Sequence, residues 1–271
     1  FLCIEKDRVE QMYKERETKQ LIMEAMEHDR VEVFYQPIFS TSERRITSAE
    51  ALVRIRDREG NLVPPGGFID IAEESGMILR LGEIVFEKVC QFIKRCPLEY
   101  FGLHYIEVNL SVVQCSYEDL AQDYIRIMER YQVVPANINL EITESASTNA
   151  KKTLLGNMAE LMEYGVKFSL DDFGTGQSNL NYIVDMPVDL VKFDRSMTSS
   201  YFENGKARYV MEAAIHMIHG MNLEIVSEGI ETAEQFRTME ELGISHIQGY
   251  YFSKPLPEEE FIQYLETKNA G

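Results

Sequence analysis

Two adjacent carboxylates, Asp171 and Asp172, sit inside the run GVKFSLDDFGTGQSNL that extends from Gly165 to Leu180. Val166, Phe168 and Leu170 alternate with Lys167 and Ser169 as in a strand, and consecutive strand residues point to opposite faces. Both carboxylates can serve one centre only if the chain bends or stops between them, which Gly174 and Gly176 permit. Two anions held together repel, and each is costly to desolvate, so a bound cation is the economical explanation. For Asp-Asp-x-Gly taken alone, the other reading is a solvated turn with an Asp helix cap.

Elements able to position such a pair recur along the chain. Residues 1–30 are rich in Glu, Lys and Arg with sparse apolar positions, which suits a connecting helix better than a core element. Strand candidates follow at 31–39, where Gln36-Pro37 should end or edge the strand, and at 46–53. Further strands are expected at 104–110, 138–143, 166–170, 190–194, 223–227 and 245–248. Helical patterns fall at 68–74, 83–95, 117–131, 151–164, 178–184, 206–219 and 233–242, with a last one from 258. About eight strands interleaved with helices predict an α/β chain folded as a (β/α)8 barrel. A doubly wound open sheet is the structural alternative, but the chain has no G-x-G-x-x-G phosphate loop.

The phase of the strands says more than their number. Ile106, Val108 and Leu110 share one face, and the other ends in Asn109; Ile138, Leu140 and Ile142 oppose Asn139 and Glu141. Val191 and Phe193 oppose Lys192 and Asp194, Leu223 and Ile225 oppose Glu228, and Ile247 opposes Gln248. In a barrel the face packed on the helices must be apolar, so the polar set points inward at the carboxyl ends of the strands, where barrel enzymes carry their sites. Six strand ends thus bring Asn109, Glu141, Asp171 with Asp172, Lys192, Glu228 and Gln248 to one mouth.

Carboxylates and an amide without His or Cys are hard oxygen donors, suited to Mg²⁺ or Mn²⁺ rather than to structural zinc. Such a donor set is large enough for two ions sharing Asp171, and an ion pair of that kind is suited to hydrolysing phosphate esters. His216 and His219 stand at i, i+3, but the apolar neighbours Met217, Ile218 and Met221 mark ordinary helix positions. A glycosidase barrel would also use paired carboxylates, but Lys192 and Asn109 among so many acids fit metal-bound phosphate better.

With 45 acidic and 27 basic residues among 271, the formal net charge is -18. That argues against nucleic-acid polymers and anionic membrane surfaces as partners. Cys3, Cys90, Cys96 and Cys115 form no C-x-x-C pair, so buried free thiols in a reducing, cytoplasmic compartment are expected. No apolar run approaches the roughly 18 residues of a membrane span, and no signal-peptide pattern is present. The opening Phe1-Leu2-Cys3-Ile4 lacks an initiator Met, so residues 1–30 are expected to be a linker helix from a missing upstream sensor or regulatory domain, and the full-length protein could be membrane-anchored.

Over 31–266 the chain resembles the EAL domain family of cyclic di-GMP phosphodiesterases. The motifs that carry the resemblance are YQPI from Tyr35, EALVR from Glu50, NLS from Asn109 and EITES from Glu141, followed by DDFGTG from Asp171, VKFD from Val191, EGIET from Glu228 and QGYYFSKPLP from Gln248. The resemblance implies that 31–271 form a TIM-like barrel modified by one antiparallel strand. It implies that Glu50, Asn109, Glu141, Asp171 and Asp172 bind two ions, Mg²⁺ or Mn²⁺, with Glu228 nearby as ligand or general base. Lys192 would orient the attacking water or offset developing charge, Glu144 would hold the DDFGTG loop, and Glu231 and Gln248 would support the site. Gln36, Leu52 and Arg54 match substrate contacts, with Asp194 and Pro255 lining a guanine site. The implied reaction opens cyclic di-GMP to linear pGpG by in-line attack of metal-activated water, in a protein that dimerises as many relatives do. The chain departs from the family's usual pattern at Gln177, Ile55, Asp70 and Ser227, none of them an implied metal ligand. Gln177 and Ile55 motivate the alternative of a non-hydrolysing cyclic di-GMP receptor or interaction module.

Overall fold

The computed structural model describes residues 2–143, 151–175 and 181–269. Strands β1 (Val31–Ser40), β2 (Arg45–Arg56), β3 (Leu62–Val63), β4 (Tyr105–Leu110) and β5 (Ile138–Thr143) are followed by β6 (Lys167–Phe173), β7 (Leu190–Phe193), β8 (Glu224–Ser227), β9 (His246–Gln248) and β10 (Leu256–Pro257). Pairing runs β1-β9-β8-β7-β6-β5-β4-β2 and returns from β2 to β1, closing an eight-stranded barrel to which the two-residue strands β3 and β10 are appended. Strand β1 is antiparallel to both β2 and β9, whereas the other barrel pairs are parallel. The expected modified barrel, with one reversed strand, is the observed architecture.

Closure follows from the strand phase. Ile106, Val108, Ile138, Leu140, Val191, Phe193, Ile225 and Ile247 all join one cluster between the barrel wall and the helices. The helix Ile78–Arg95 contributes Leu81, Val85, Phe86, Val89 and Phe92 to that layer. The opposite strand faces turn into the lumen, where Ile38, Leu190 and Val226 make a small separate apolar plug. On β1, Tyr35 stacks between Phe92 and Phe261 at centroid distances of 4.3 and 5.4 Å. That anchor fixes the strand's phase and turns its neighbour Gln36 inward.

Several details differ from the sequence expectations. Strand β1 passes through Pro37 and ends at Ser40, because β10 pairs with Phe34 and Tyr35 while β9 pairs from Ile38 onward. Proline, which has no N–H to donate, therefore falls in the gap between two partners. The helix expected from 83 begins at Ile78. A helix Arg195–Glu203 stands where none was expected, capped by the Asp194 carboxylate accepting from the Ser196 amide at 2.8 Å. The first helix spans Leu2–Glu27, and although Val9, Met12 and Tyr13 are exposed, Ile22 and Ala25 are buried in the core.

Cys90, Cys96 and Cys115 are free and buried, as expected. Among the described residues no helix is long and apolar enough to cross a membrane. Glu144, Gly176 and Gln177 lie outside the described residues, as does the start of the helix expected at 178–184, whose described part is Asn181–Asp185.

Candidate active site

The inward positions converge on one ammonium. Lys192 on β7 is 0% exposed, and its Nζ lies 2.6 Å from Glu141 Oε1 and 2.9 Å from Glu228 Oε1. Glu50 Oε2, Glu107 Oε2 and Asp171 Oδ1 follow at 3.4, 3.5 and 4.0 Å. Five carboxylates from five strands thus face one lysine. Glu50 is clamped on both oxygens, by Asn109 Nδ2 at 2.7 Å and by Gln248 Nε2 at 2.7 Å. Gln248 also reaches Gln36 Oε1 at 3.3 Å, and Gln36 Nε2 donates to the Ser253 carbonyl at 3.3 Å. The reversed strand β1 thereby joins the mouth, with Gln36 in register with Glu50.

The bend between Asp171 and Asp172 arises differently from the glycine hinge expected. Asp172 itself adopts φ 59°, and the β6–β7 register shifts between Leu170 and Phe173. Aspartate is among the few side chains that tolerate this left-handed conformation. The bulge lets Asp171 point at Lys192 while Asp172 stands exposed at the rim.

Burial and crowding set the charge states. Desolvation, only partly offset by Lys192, pushes Asp171 up to about 6 and Glu228 up to about 8. It also carries Glu141 well above the ordinary carboxylate range, with Glu50 and Glu107 adding repulsion. Asp172 is raised by partial burial and by nearby Asp194. Glu50 is buried too, but Lys192 and the hydrogen bonds from Gln248 and Asn109 outweigh that and hold it low. For Lys192, burial is opposed by Glu141, Glu228, Glu50 and Asp171, which together keep the ammonium charged.

The donor chemistry fits hard divalent cations. Asp171 Oδ1, Glu141 Oε2 and Gln248 Oε1 are buried oxygens without a hydrogen-bond partner among the described residues, and the excess of carboxylates over ammonium calls for positive charge. In the present arrangement, the described residues offer no group of three His, Cys, Asp or Glu side chains poised around one ion position. The Lys192 ammonium stands in their midst instead.

A cleft of about 240 Å³ opens over this cluster, bounded by Gln36, Glu50, Leu52, Asp171, Glu228 and Gln248. Its rim carries Glu231 ion-paired to Arg195 at 2.7 Å, and Tyr250 beneath Lys254, whose Nζ is 5.3 Å from the ring centroid. Gly249 presses on the Ile230 backbone so closely that a Cβ would meet its carbonyl oxygen at 2.0 Å. That contact fixes the turn carrying Gln248 and Tyr250.

The structure therefore brings Glu50, Asn109, Glu141, Asp171, Lys192, Glu228 and Gln248 together, with Gln36 and Leu52 beside them and Asp172 and Glu231 at the rim. Arg54 donates to the Val53 carbonyl at 2.8 Å and lies over the Phe34 ring, beside the cleft rather than in its wall. Asp194 caps a helix, and Pro255 precedes β10 without bordering the cleft. Sequence reasoning missed Glu107, Arg195 and Tyr250. For Glu107 the signal was present, since it shares the phase of Asn109 on β4. Arg195 opens the helix Arg195–Glu203 just past β7, and Tyr250 sits on the turn after β9, places where strand periodicity carries no information.

The departures Ile55, Asp70 and Ser227 stand apart from the cluster. Ile55 is fully buried on the helix-facing side of β2. Asp70 occupies the first turn of the helix Ile69–Glu74, where a negative charge is favourable. Ser227 Oγ is 3.0 Å from Thr198 Oγ1, between β8 and the helix Arg195–Glu203.

A family model described as EAL domain matches residues 19–255. The signaling protein YkoW of Bacillus subtilis is 35% identical over 248 residues, 90% of this chain and 30% of that protein. The cyclic di-GMP phosphodiesterase NbdA of Pseudomonas aeruginosa is 31% identical over 257 residues, 93% of this chain and 33% of that protein. Among solved structures, the MucR phosphodiesterase in complex with c-di-GMP superposes with a TM-score of 0.84 at 28% identity, covering 90% of this chain and 99% of that one. The chain spans about a third of the length of these curated relatives.

Proposed function

From a chain that belongs to the EAL domain family, we propose the hydrolysis of cyclic di-GMP to linear pGpG. The observation that carries the reading is the single buried Lys192 ringed by Glu50, Glu141, Asp171 and Glu228, with Asn109 and Gln248 clamping Glu50. Glu50, Asn109, Glu141, Asp171 and Asp172 would hold two Mg²⁺ or Mn²⁺ ions, with Glu228 beside them. Bound there, the ions would supply Lewis-acid polarisation of the phosphoryl oxygens and a lowered pKa for water.

The chain's own residues supply positioning and charge. Lys192 offsets the negative charge that builds on the phosphoryl oxygens, and its burial makes that charge count for more than it would in water. Asn109 and Gln248 fix the orientation of Glu50, so its two oxygens need no reorganisation during the reaction. Glu228, pushed up to about 8 in the metal-free cleft, would be ionised by cations bound beside it and could then take a proton from the attacking water. Gln36, Leu52 and Arg54 would hold the dinucleotide, with a base toward Asp194 and Pro255, while Glu231 stiffens the rim through Arg195.

The same barrel would serve a receptor if turnover were lost. Of the two departures that motivated that alternative, Ile55 packs in the core away from the cleft. We propose that the domain is attached to a regulatory segment, in line with the greater length of its relatives, and that it pairs as a homodimer, which a monomeric mass in light scattering would contradict. Incubating the purified chain with cyclic di-GMP and Mg²⁺ or Mn²⁺, then resolving the nucleotides by chromatography, should yield pGpG, and chelation should stop it. Stoichiometric binding without any pGpG would establish the receptor instead.

A further inference from the structure

We infer that Glu107 is a positioning residue that receives the Lys192 ammonium and holds it clear of the mouth when divalent cations enter. The inference rests on the two-cation reading above. Glu107 lies on β4 one inward step deeper than Asn109, in register with Glu50 on one side and Asn139 on the other. It is 0% exposed and does not border the cleft, and its carboxyl meets no N–H or hydroxyl donor among the described residues, its neighbours being the Lys192 ammonium and the Glu141 carboxyl. Its oxygen Oε2 stands 3.5 Å from Lys192 Nζ.

The need for such a residue follows from where the ammonium now sits. Lys192 lies 2.6 Å from Glu141 and 2.9 Å from Glu228, among the oxygens that the cations would claim. A dication that draws Glu141 toward itself also repels the ammonium, and the two cannot share those oxygens. A displaced ammonium in this dry lumen needs another anion within reach, because a buried charge stripped of its partner is strongly destabilising. Glu50, Asp171, Glu141 and Glu228 are all engaged at the mouth. Glu107 remains, already close, with no N–H donor to give up and with the repulsion from Glu141 relieved once a cation draws Glu141 away. Its depth below the cleft lets it keep the lysine charged and aimed upward without competing for metal.

The test is calorimetric titration of Mg²⁺ into the nucleotide-free chain. Glu107→Gln keeps the shape and removes the charge, and should weaken Mg²⁺ binding by about tenfold or more, in the range seen when supports of metal ligands are lost. Glu107→Asp should recover part of the loss. In a Lys192→Met background, Glu107→Gln should change little, because the residue acts through the lysine. Unchanged affinity in Glu107→Gln would overturn the inference, and so would an equal loss with Lys192 absent, which would mean that Glu107 acts by its charge alone. If Glu107→Gln fails to melt cooperatively, the comparison rests on Glu107→Asp, for which unchanged affinity counts equally against the proposal. A wild-type chain that takes up no Mg²⁺ would defeat the two-cation reading itself, which separates the two failures.

Discussion

Asp171 and Glu228 carry a cost that the proposed cations would remove. Their carboxyls are pushed up to about 6 and about 8 by burial that Lys192 only partly offsets. In the metal-free folded chain they therefore hold protons that the unfolded chain releases above the ordinary carboxylate range. Stability must then fall as pH rises from about 5 to about 8. Lys192, raised above its usual value, stays protonated in both states across that window and does not change the sign. In chelator the melting temperature should be lower at pH 8 than at pH 5 by at least about 4 °C, and excess Mg²⁺ should shrink the difference. A melting temperature that rises over that interval in chelator would contradict the assignment. Much of this cluster was legible in the sequence, because one inward phase shared by several strands selects Asn109, Glu141, Lys192, Glu228 and Gln248. The left-handed Asp172 was not, since nothing in the residue types says which of the positions from Asp171 to Gly176 takes the bend. Glu107 was legible but unread: the same alternation that points Asn109 inward points it inward as well.

At the scale of elements, β1 shows how a strand can be right in place and wrong in extent. Pro37 reads as a terminator, yet the strand continues because its outer edge changes partner there, from β10 to β9. Strand partners are set by barrel closure, a long-range property that local composition does not carry. The missed helix Arg195–Glu203 has a similar origin. Its sequence RSMTSSYFE has weak apolar periodicity, and the element is set by the Asp194 cap and by packing through Thr198 and Tyr201. Tyr35 is the opposite case, an outward aromatic that ties β1 to two helices and so holds Gln36 in the mouth. Tyr35→Ala should cost about 3–5 kcal/mol in urea unfolding, the range for deleting a buried aromatic ring. A loss under about 1 kcal/mol would show that β1 is held by its ladder alone.

For the whole molecule, the strongly acidic chain and its proposed phosphodiester ligand pose an electrostatic problem. A net charge of -18 repels a phosphodiester at long range, and the site itself adds more carboxylates than cationic groups. The proposed divalent cations at the mouth would resolve both, and Arg54, Arg195 and Lys254 supply positive charge around the cleft. Fold and family were readable from the sequence because the barrel repeats one strand-helix pattern and the motifs fall at the same structural position in each repeat. The residues on the cleft's rim depend on the turn carrying Tyr250 and on the helix start at Arg195, whose geometry the pattern does not specify. The most direct measurement of the central claim is turnover of cyclic di-GMP in ¹⁸O-labelled water, read by mass spectrometry. Water attack at phosphorus predicts linear pGpG with one label, carried on its terminal phosphate. Unlabelled product, or cyclic dinucleotide bound and released intact in the presence of Mg²⁺ and Mn²⁺, would contradict it.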